Sequence, residues 1–171
     1  MCRGCGCRHR LLTKRDAALK ALRNGFRYGV EFGPQLAQHS NSDLALLLQG
    51  RTTLNVQDIL SCFDWSDMEH FPPSKFLYEL LQDADVFDEE GRLTLLRWCT
   101  GLNALSVNGP DRKVKLVEDD TDRKQVDGRL PTAATCSNEI YLPNYSSKEV
   151  LRIQLKCALD SFKSDASFEQ Q

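Results

Sequence analysis

The feature that most constrains this chain is a change of period. Up to Gly101 the apolar residues recur at three- and four-residue spacing, the signature of helices with one buried face. Beyond the turn signal Asn108-Gly109-Pro110-Asp111 they alternate, which is the pattern of a half-buried strand. A helical first part followed by a small mixed part predicts an α+β chain. The predicted divisions are a disordered start over residues 1–13, helices over 14–100, a hinge over 101–110 and an α/β unit over 111–171.

The helical part has its own punctuation. The run from Thr13 to Val30 places Ala18, Leu22 and Phe26 on one face, and Gly25, Gly29 and Gly33 weaken and end it. Asn41-Ser42-Asp43 offers a cap to a short helix over Leu44 to Leu48, stopped by Gly50. Val56 to Phe63 predicts a short helical turn, with Trp65 after it. Pro72-Pro73-Ser74 opens a helix in which Phe76, Leu77, Leu80, Leu81 and Ala84 share a face. Asp88 caps the next, which carries Leu93, Leu95, Leu96, Trp98 and Cys99 and stops at Gly101. In the second part, Lys113 to Glu118 and Glu139 to Leu142 alternate as strands, and Glu118 to Lys124 is a charged, solvated loop. Ser146 with Glu149 reads as a capping box opening a final helix along Leu151, Leu155, Ala158 and Phe162.

Composition bounds what such a chain does. Of its 171 residues, 41% are hydrophobic and 27% charged, enough for one ordinary domain or two small ones with a real core. A net charge of -2 gives no basic field for nucleic acid or an anionic membrane. No apolar run approaches the ~20 residues of a membrane span, and no apolar segment follows the charged N-terminus as in a secretory signal. The seven cysteines are an odd number, and Cys62, Cys99, Cys136 and Cys157 lack framework spacing. Free thiols in a reducing compartment are expected, hence a cytoplasmic or nuclear location. Cys2, Cys5, Cys7 and His9 are too cramped for an ordinary structural zinc site, which pairs two knuckles across a longer loop, so no metal is expected.

The chemistry-bearing candidate is Cys136. It follows a proline-containing loop, Arg129-Leu130-Pro131, instead of lying on an apolar helix face. Thr132, Thr135, Ser137 and Asn138 around it could hydrogen-bond a thiolate or an oxyanion. Cys62, Cys99 and Cys157 lie in apolar helical stretches and read as small buried hydrophobes. Trp65 and Trp98 read as core aromatics. A protease dyad of Cys136 with His39 or His70 has nothing to fix either histidine nearby, and surface or capping roles are expected for both. The arginine of a phosphatase loop is replaced by Leu142 six residues after the cysteine.

The segment Leu130-Pro131-Thr132-Ala133-Ala134-Thr135-Cys136-Ser137-Asn138, followed by Leu142-Pro143-Asn144-Tyr145-Ser146-Ser147-Lys148-Glu149, resembles the end of the HECT catalytic domain of ubiquitin-protein ligases. Leu95 to Gly101 resembles the helix ending in Thr-Gly at that family's interlobe hinge. Asn24-Gly25-Phe26 and Leu46-Leu47-Leu48-Gln49-Gly50 resemble preceding helices of its large lobe. The resemblance covers roughly residues 24–171. It implies an α+β fold made of the helical end of an N-lobe and a small α/β C-lobe carrying the catalytic cysteine. It further implies that Cys136 takes ubiquitin from a conjugating enzyme as a thioester and passes it to a lysine of a protein substrate, with no cofactor. By the same resemblance Leu130 and Pro131 shape the loop and contact the ubiquitin tail, and Thr135 and Asn138 orient groups around the thiol. Phe168, fourth from the C-terminus, serves transfer.

The chain departs from the family pattern at Ala134, where many members have His, at Ser137 in place of Phe, and at Val107-Asn108-Gly109-Pro110 in place of Gly-Gly-Phe. The family domain is longer than this chain, and the part that docks the conjugating enzyme precedes the region matched. The alternative expectation is therefore a non-catalytic module that binds ubiquitin or a partner without charging itself.

Overall fold

The computed structural model describes residues 15–29, 38–121 and 126–168. The expected disordered start, with Cys2, Cys5, Cys7 and His9, lies outside the described residues. The chain divides into two compact units, residues 1–45 and 46–171. In the first, helix α1 spans Asp16–Gly29 and carries a Lys20–Asp16 ion pair at 2.8 Å, one turn apart.

Helix α2, Asn41–Gln49, starts three residues before the expected Leu44, and Ser40 caps it in place of Asn41-Ser42-Asp43. The Ser40 hydroxyl accepts the Asp43 N–H at 3.1 Å, while the Asp43 carboxylate accepts the Ser40 N–H at 3.1 Å. This reciprocal pair satisfies donors that the first turn leaves without partners. Gly50 then turns the chain with φ +75°. A Cβ there would stand 2.6 Å from the Leu105 carbonyl oxygen, so only glycine fits. The close approach lets Arg51 and Leu105 exchange both backbone hydrogen bonds, at 2.7 and 2.9 Å.

Helix α3, Val56–Ser61, has a full capping box between Asn55 and Asp58. Helix α4, Pro72–Gln82, opens on its two prolines, which lose nothing at positions whose N–H groups have no intrahelical acceptor. Helix α5, Glu89–Thr100, is capped by Asp88, whose carboxylate accepts the Gly91 N–H at 2.7 Å, and it ends at Gly101 with φ 73°.

Three strands follow. Strands β1 (Lys115–Glu118), β2 (Thr132–Ala134) and β3 (Glu139–Leu142) form one sheet in the order β1-β3-β2. β1 runs parallel to β3, and β2 runs antiparallel to it. β2 was not foreseen, because Thr-Ala-Ala has neither alternation nor bulk. A 3-10 turn, Val126–Gly128, precedes it. The last helix, α6, is Lys148–Phe168. Its first turn is capped by the Ser147 hydroxyl, which accepts the Val150 N–H at 3.3 Å; Glu149 pairs with Arg152 instead of closing a box with Ser146.

The buried side chains run across the expected hinge at 101–110. Leu54, Ile59, Phe63, Leu77, Leu81, Leu95, Leu96, Leu105, Val114, Ile140, Leu142, Leu151 and Leu155 form one continuous core. Each buried leucine or isoleucine contributes ~1.5–3 kcal/mol by leaving water, so a core shared across 101–110 holds both flanks together. The backbone crosses as well: Val114 donates to the Cys62 carbonyl at 2.7 Å and accepts from Asp64 at 2.8 Å. Compactness breaks between Ala45 and Leu46 instead. Residues 101–110 are a connection inside the second unit, with a turn closed by Gly109 N–H to the Ser106 carbonyl at 3.0 Å.

Trp65 and Trp98 pack on this core half-buried, as expected. Trp65 donates its indole N–H to the Leu60 carbonyl at 2.8 Å and meets Tyr78 edge-on at 5.1 Å. Cys62 and Cys99 are buried, but Cys157 is exposed. The inner face of α6 is Leu151, Leu155, Ala158 and Leu159, and position 157 falls two residues, about 200°, away from Leu155.

Candidate functional site

The register of β2 against β3 pairs Ala134 with Glu139 and leaves Thr135-Cys136-Ser137-Asn138 as the hairpin loop. The Ser137 N–H donates to the Ala134 carbonyl at 3.3 Å, closing a turn with Thr135 and Cys136 at its two centres. Asn138 takes φ 55°, a left-handed conformation that asparagine tolerates better than most residues. Its carbonyl accepts the Lys115 N–H at 2.9 Å, fastening the end of the loop to β1. The backbone on both sides of Cys136 is thus held, while the residue itself is exposed.

The two buried cysteines are chemically different. Burial pushes the Cys62 thiol up to about 11, and its Sγ donates to the Asp58 carbonyl at 3.3 Å. Burial also raises the Cys99 thiol. Such groups stay protonated near neutrality, and the thiol form is a poor nucleophile.

The other candidates are placed as follows. Pro131 is buried directly before β2, and Leu130 beside it is 43% exposed. Thr135 is exposed at the start of the loop, and a Cβ on Gly101 would meet its Cβ at 4.0 Å, so the loop sits close over the end of α5. Asn138 also lines a cleft of about 220 Å3 with Leu96, Thr100, Leu102, Leu105 and Val114. Ala134 ends β2 and pairs in register with Glu139. Phe168 is the last residue of α6, and its side chain lies outside the described residues. His39 and His70 are exposed, and among the described residues no hydrogen bond or ion pair joins either to the Cys136 loop.

Several residues that support the loop were not foreseen. The Tyr145 hydroxyl, in a side chain 2% exposed, donates to the Arg129 carbonyl at 2.7 Å. The Arg129 guanidinium pairs with Asp119. Asp119 is held below the usual carboxylate range by Thr121 hydrogen bonds first and by Arg129 in addition. Asp127 accepts the Ser146 N–H at 2.9 Å and the Ser146 hydroxyl at 2.6 Å, which lower its pKa. Gln154 on α6 donates to the Asp127 carbonyl at 2.8 Å. The segment leading into β2 is therefore tied to the loop before α6 and to α6 itself. At the start of β3, the Glu139 carboxylate accepts hydrogen bonds from the Tyr141 hydroxyl at 2.8 Å and the Ser137 hydroxyl at 3.0 Å. These bonds lower the Glu139 pKa. Alternation along β3 puts Glu139 and Tyr141 on one face, a signal that was present in the sequence.

Among the described residues, no group of three or more His, Cys, Asp or Glu side chains is arranged to hold a metal ion. No described helix is long and apolar enough to cross a membrane. The site offers an exposed sulfur on a fixed turn, a neighbouring carboxylate and an exposed leucine.

Comparison with known proteins gives the site its context. The chain is 29% identical over 159 residues to the E3 ubiquitin-protein ligase hyd of Drosophila melanogaster, covering 90% of this chain and 5% of that protein. It is 27% identical over 161 residues to the E3 ubiquitin-protein ligase TOM1-like of Neurospora crassa, covering 88% of this chain and 4% of that protein. A stretch of 37 residues is 51% identical to the human ubiquitin-protein ligase E3B, 22% of this chain and 4% of that protein. The chain thus spans about a twentieth of the length of the first of these relatives. The family described as HECT-domain (ubiquitin-transferase) matches residues 6–169, and on that match over nearly the whole sequence the chain belongs to the HECT family.

Proposed function

We propose that this chain carries ubiquitin as a thioester on Cys136 and passes it to a lysine of a protein substrate. The observation that supports this most is the setting of its thiols: Cys136 is exposed on a turn fastened to two strands, Cys157 is exposed on a helix face, and Cys62 and Cys99 are buried. In the first step the Cys136 thiolate attacks the thioester carbonyl of a charged conjugating enzyme, and that enzyme's thiolate leaves. In the second, a lysine amine attacks the new thioester; the C–S bond breaks, the Cys136 thiolate leaves, and the nitrogen loses its extra proton to solvent. Thioester exchange is nearly isoenergetic, whereas the amide product is more stable, so the second step drives transfer. The exposed Leu130 offers an apolar contact to the ubiquitin tail, and Pro131, Thr135 and Asn138 hold the loop that presents the sulfur. Phe168 acts in transfer to the substrate. Ubiquitin, a conjugating enzyme and a protein substrate are the partners this reading requires, in the cytoplasm or nucleus.

The test is to mix the protein with a charged conjugating enzyme and resolve the products without reductant. A ubiquitin adduct that thiol reductant removes and Cys136→Ala abolishes is expected. Ubiquitin bound in a titration with no adduct at Cys136 assigns a binding module instead.

A further inference from the structure

Glu139 has a free capability that its structural role leaves unused. Both of its hydrogen bonds, from Ser137 and Tyr141, end on Oε2. Among the described residues none reaches Oε1. Ser137 is the residue directly after Cys136, and it turns its hydroxyl onto this carboxylate, so the anion sits against the wall of the Cys136 turn. Lys115 stands beside Glu139 in the sheet register and its charge adds to the lowering of the carboxyl, yet no salt bridge joins them among the described residues. The Tyr141 hydroxyl is raised above its ordinary range, chiefly by its hydrogen bond to Glu139, with the Cys136 sulfur as a lesser contribution. One phenol thus feels both groups. The carboxylate is ionised, oriented by two donors and open on one oxygen, and one of those donors is the residue directly after Cys136.

We propose that Glu139 docks the cationic nitrogen of the acceptor lysine beside the acyl group on Cys136, which makes this site selective for lysine over uncharged nucleophiles. The inference rests on Cys136 as the ubiquitin carrier. The free Oε1 accepts an N–H of the lysine ammonium. After that ammonium gives one proton to solvent, the neutral amine attacks the thioester carbonyl, the Cys136 thiolate leaves, and the nitrogen loses its remaining extra proton to solvent. Glu139 is held below the ordinary carboxylate range by its two donors, so it acts as an anion that concentrates and orients the amine, and it does not store the proton.

The experiment loads the 171-residue chain from ubiquitin thioesterified to a small thiol, which needs no conjugating enzyme. Discharge of the adduct is then followed with an N-acetyl-lysine amide and, separately, with hydroxylamine, which is uncharged at neutral pH. The readout is the ratio of the two rates. Glu139→Gln keeps an acceptor for Ser137 and Tyr141 but removes the charge, so the ratio is expected to fall about three- to five-fold, the range of an exposed ion pair. In the unaltered chain the same ratio is expected to fall as salt rises. An unchanged ratio in Glu139→Gln, or a salt-insensitive ratio in the unaltered chain, overturns the docking role while leaving the carrier intact. No adduct on the unaltered chain overturns the carrier reading first, and that result is read before any discharge is measured.

Discussion

Tyr145→Phe isolates one hydrogen bond at the root of the Cys136 hairpin. The ring of Tyr145 is 2% exposed and stays in place as phenylalanine, so no cavity opens. What is lost is the Tyr145 hydroxyl bond to the Arg129 carbonyl at 2.7 Å. No other donor reaches that carbonyl among the described residues, and a polar group left without a partner loses about 1–3 kcal/mol. The bond is only partly buried, and water recovers some of the loss, so about 1.5 kcal/mol is expected, a roughly tenfold rise in the unfolding equilibrium constant. At a urea slope of about 2 kcal/mol/M this moves the midpoint down by about 0.7 M with the slope unchanged. Hydrogen exchange adds position: the amides of β2, directly after the released segment, should lose protection more than those of α3 or α4. Tyr141→Phe is the control, since it also removes a hydroxyl bond, 2.8 Å to Glu139, but at a carboxylate open to water. Its cost should stay below about 0.5 kcal/mol. If Tyr145→Phe is no more destabilising than Tyr141→Phe, or if β2 exchange is unaltered, the tether to Arg129 is not what holds the hairpin.

Alkylation with iodoacetamide should modify Cys136 quickly and Cys62 and Cys99 only through unfolding, with the buried pair slowed by about 1,000-fold or more for a unit of ordinary stability. Comparable rates at all three would remove the structural contrast on which the carrier role rests. Gly50→Ala should destabilise the second unit by about 1–3 kcal/mol, because φ is +75° and the added Cβ meets the Leu105 carbonyl at 2.6 Å; a melting temperature equal to the parent's would contradict it. Stability should decline as pH rises from about 9. The Cys62 thiol is raised to about 11 in the fold and is ~8.5 when unfolded, so the stabilisation is complete below the lower value and is lost towards the higher. Denaturation at pH 7.5 and 10 should show a smaller decline in Cys62→Ala, and an equal decline would place the titration elsewhere.

Much of the fold was legible because local chemistry fixes it. Asp88 and Gly101 bound α5 through a carboxylate cap and a left-handed glycine, both visible in the sequence. Alternation found β1 and β3. β2 was hidden because Thr132-Ala133-Ala134 is a strand through its pairing with β3, a partner no local pattern announces. The α6 cap was misread by one residue, since Ser146 and Ser147 are adjacent and only the carboxylate of distant Asp127 claims the first. Cys157 was read as buried from the apolar character of its stretch, although the helical angle from Leu155 already turned it outward. Cys136 stands out in the sequence through the motif around it. Its supports, Tyr145 on Arg129 and Asp119 beside that arginine, join residues 10 to 16 positions apart and needed coordinates. The helical and sheet parts are separable by period, but period says nothing of the interior they share.

That shared interior has a practical consequence. A chain beginning near Leu46 carries every side chain of the core together with the Cys136 hairpin, and should melt in one cooperative step. Trimming it to residue 111 would strip Ile140, Leu142, Leu151 and Leu155 of the helices that cover them, and the thiol would be left on an oily surface that seeks other molecules.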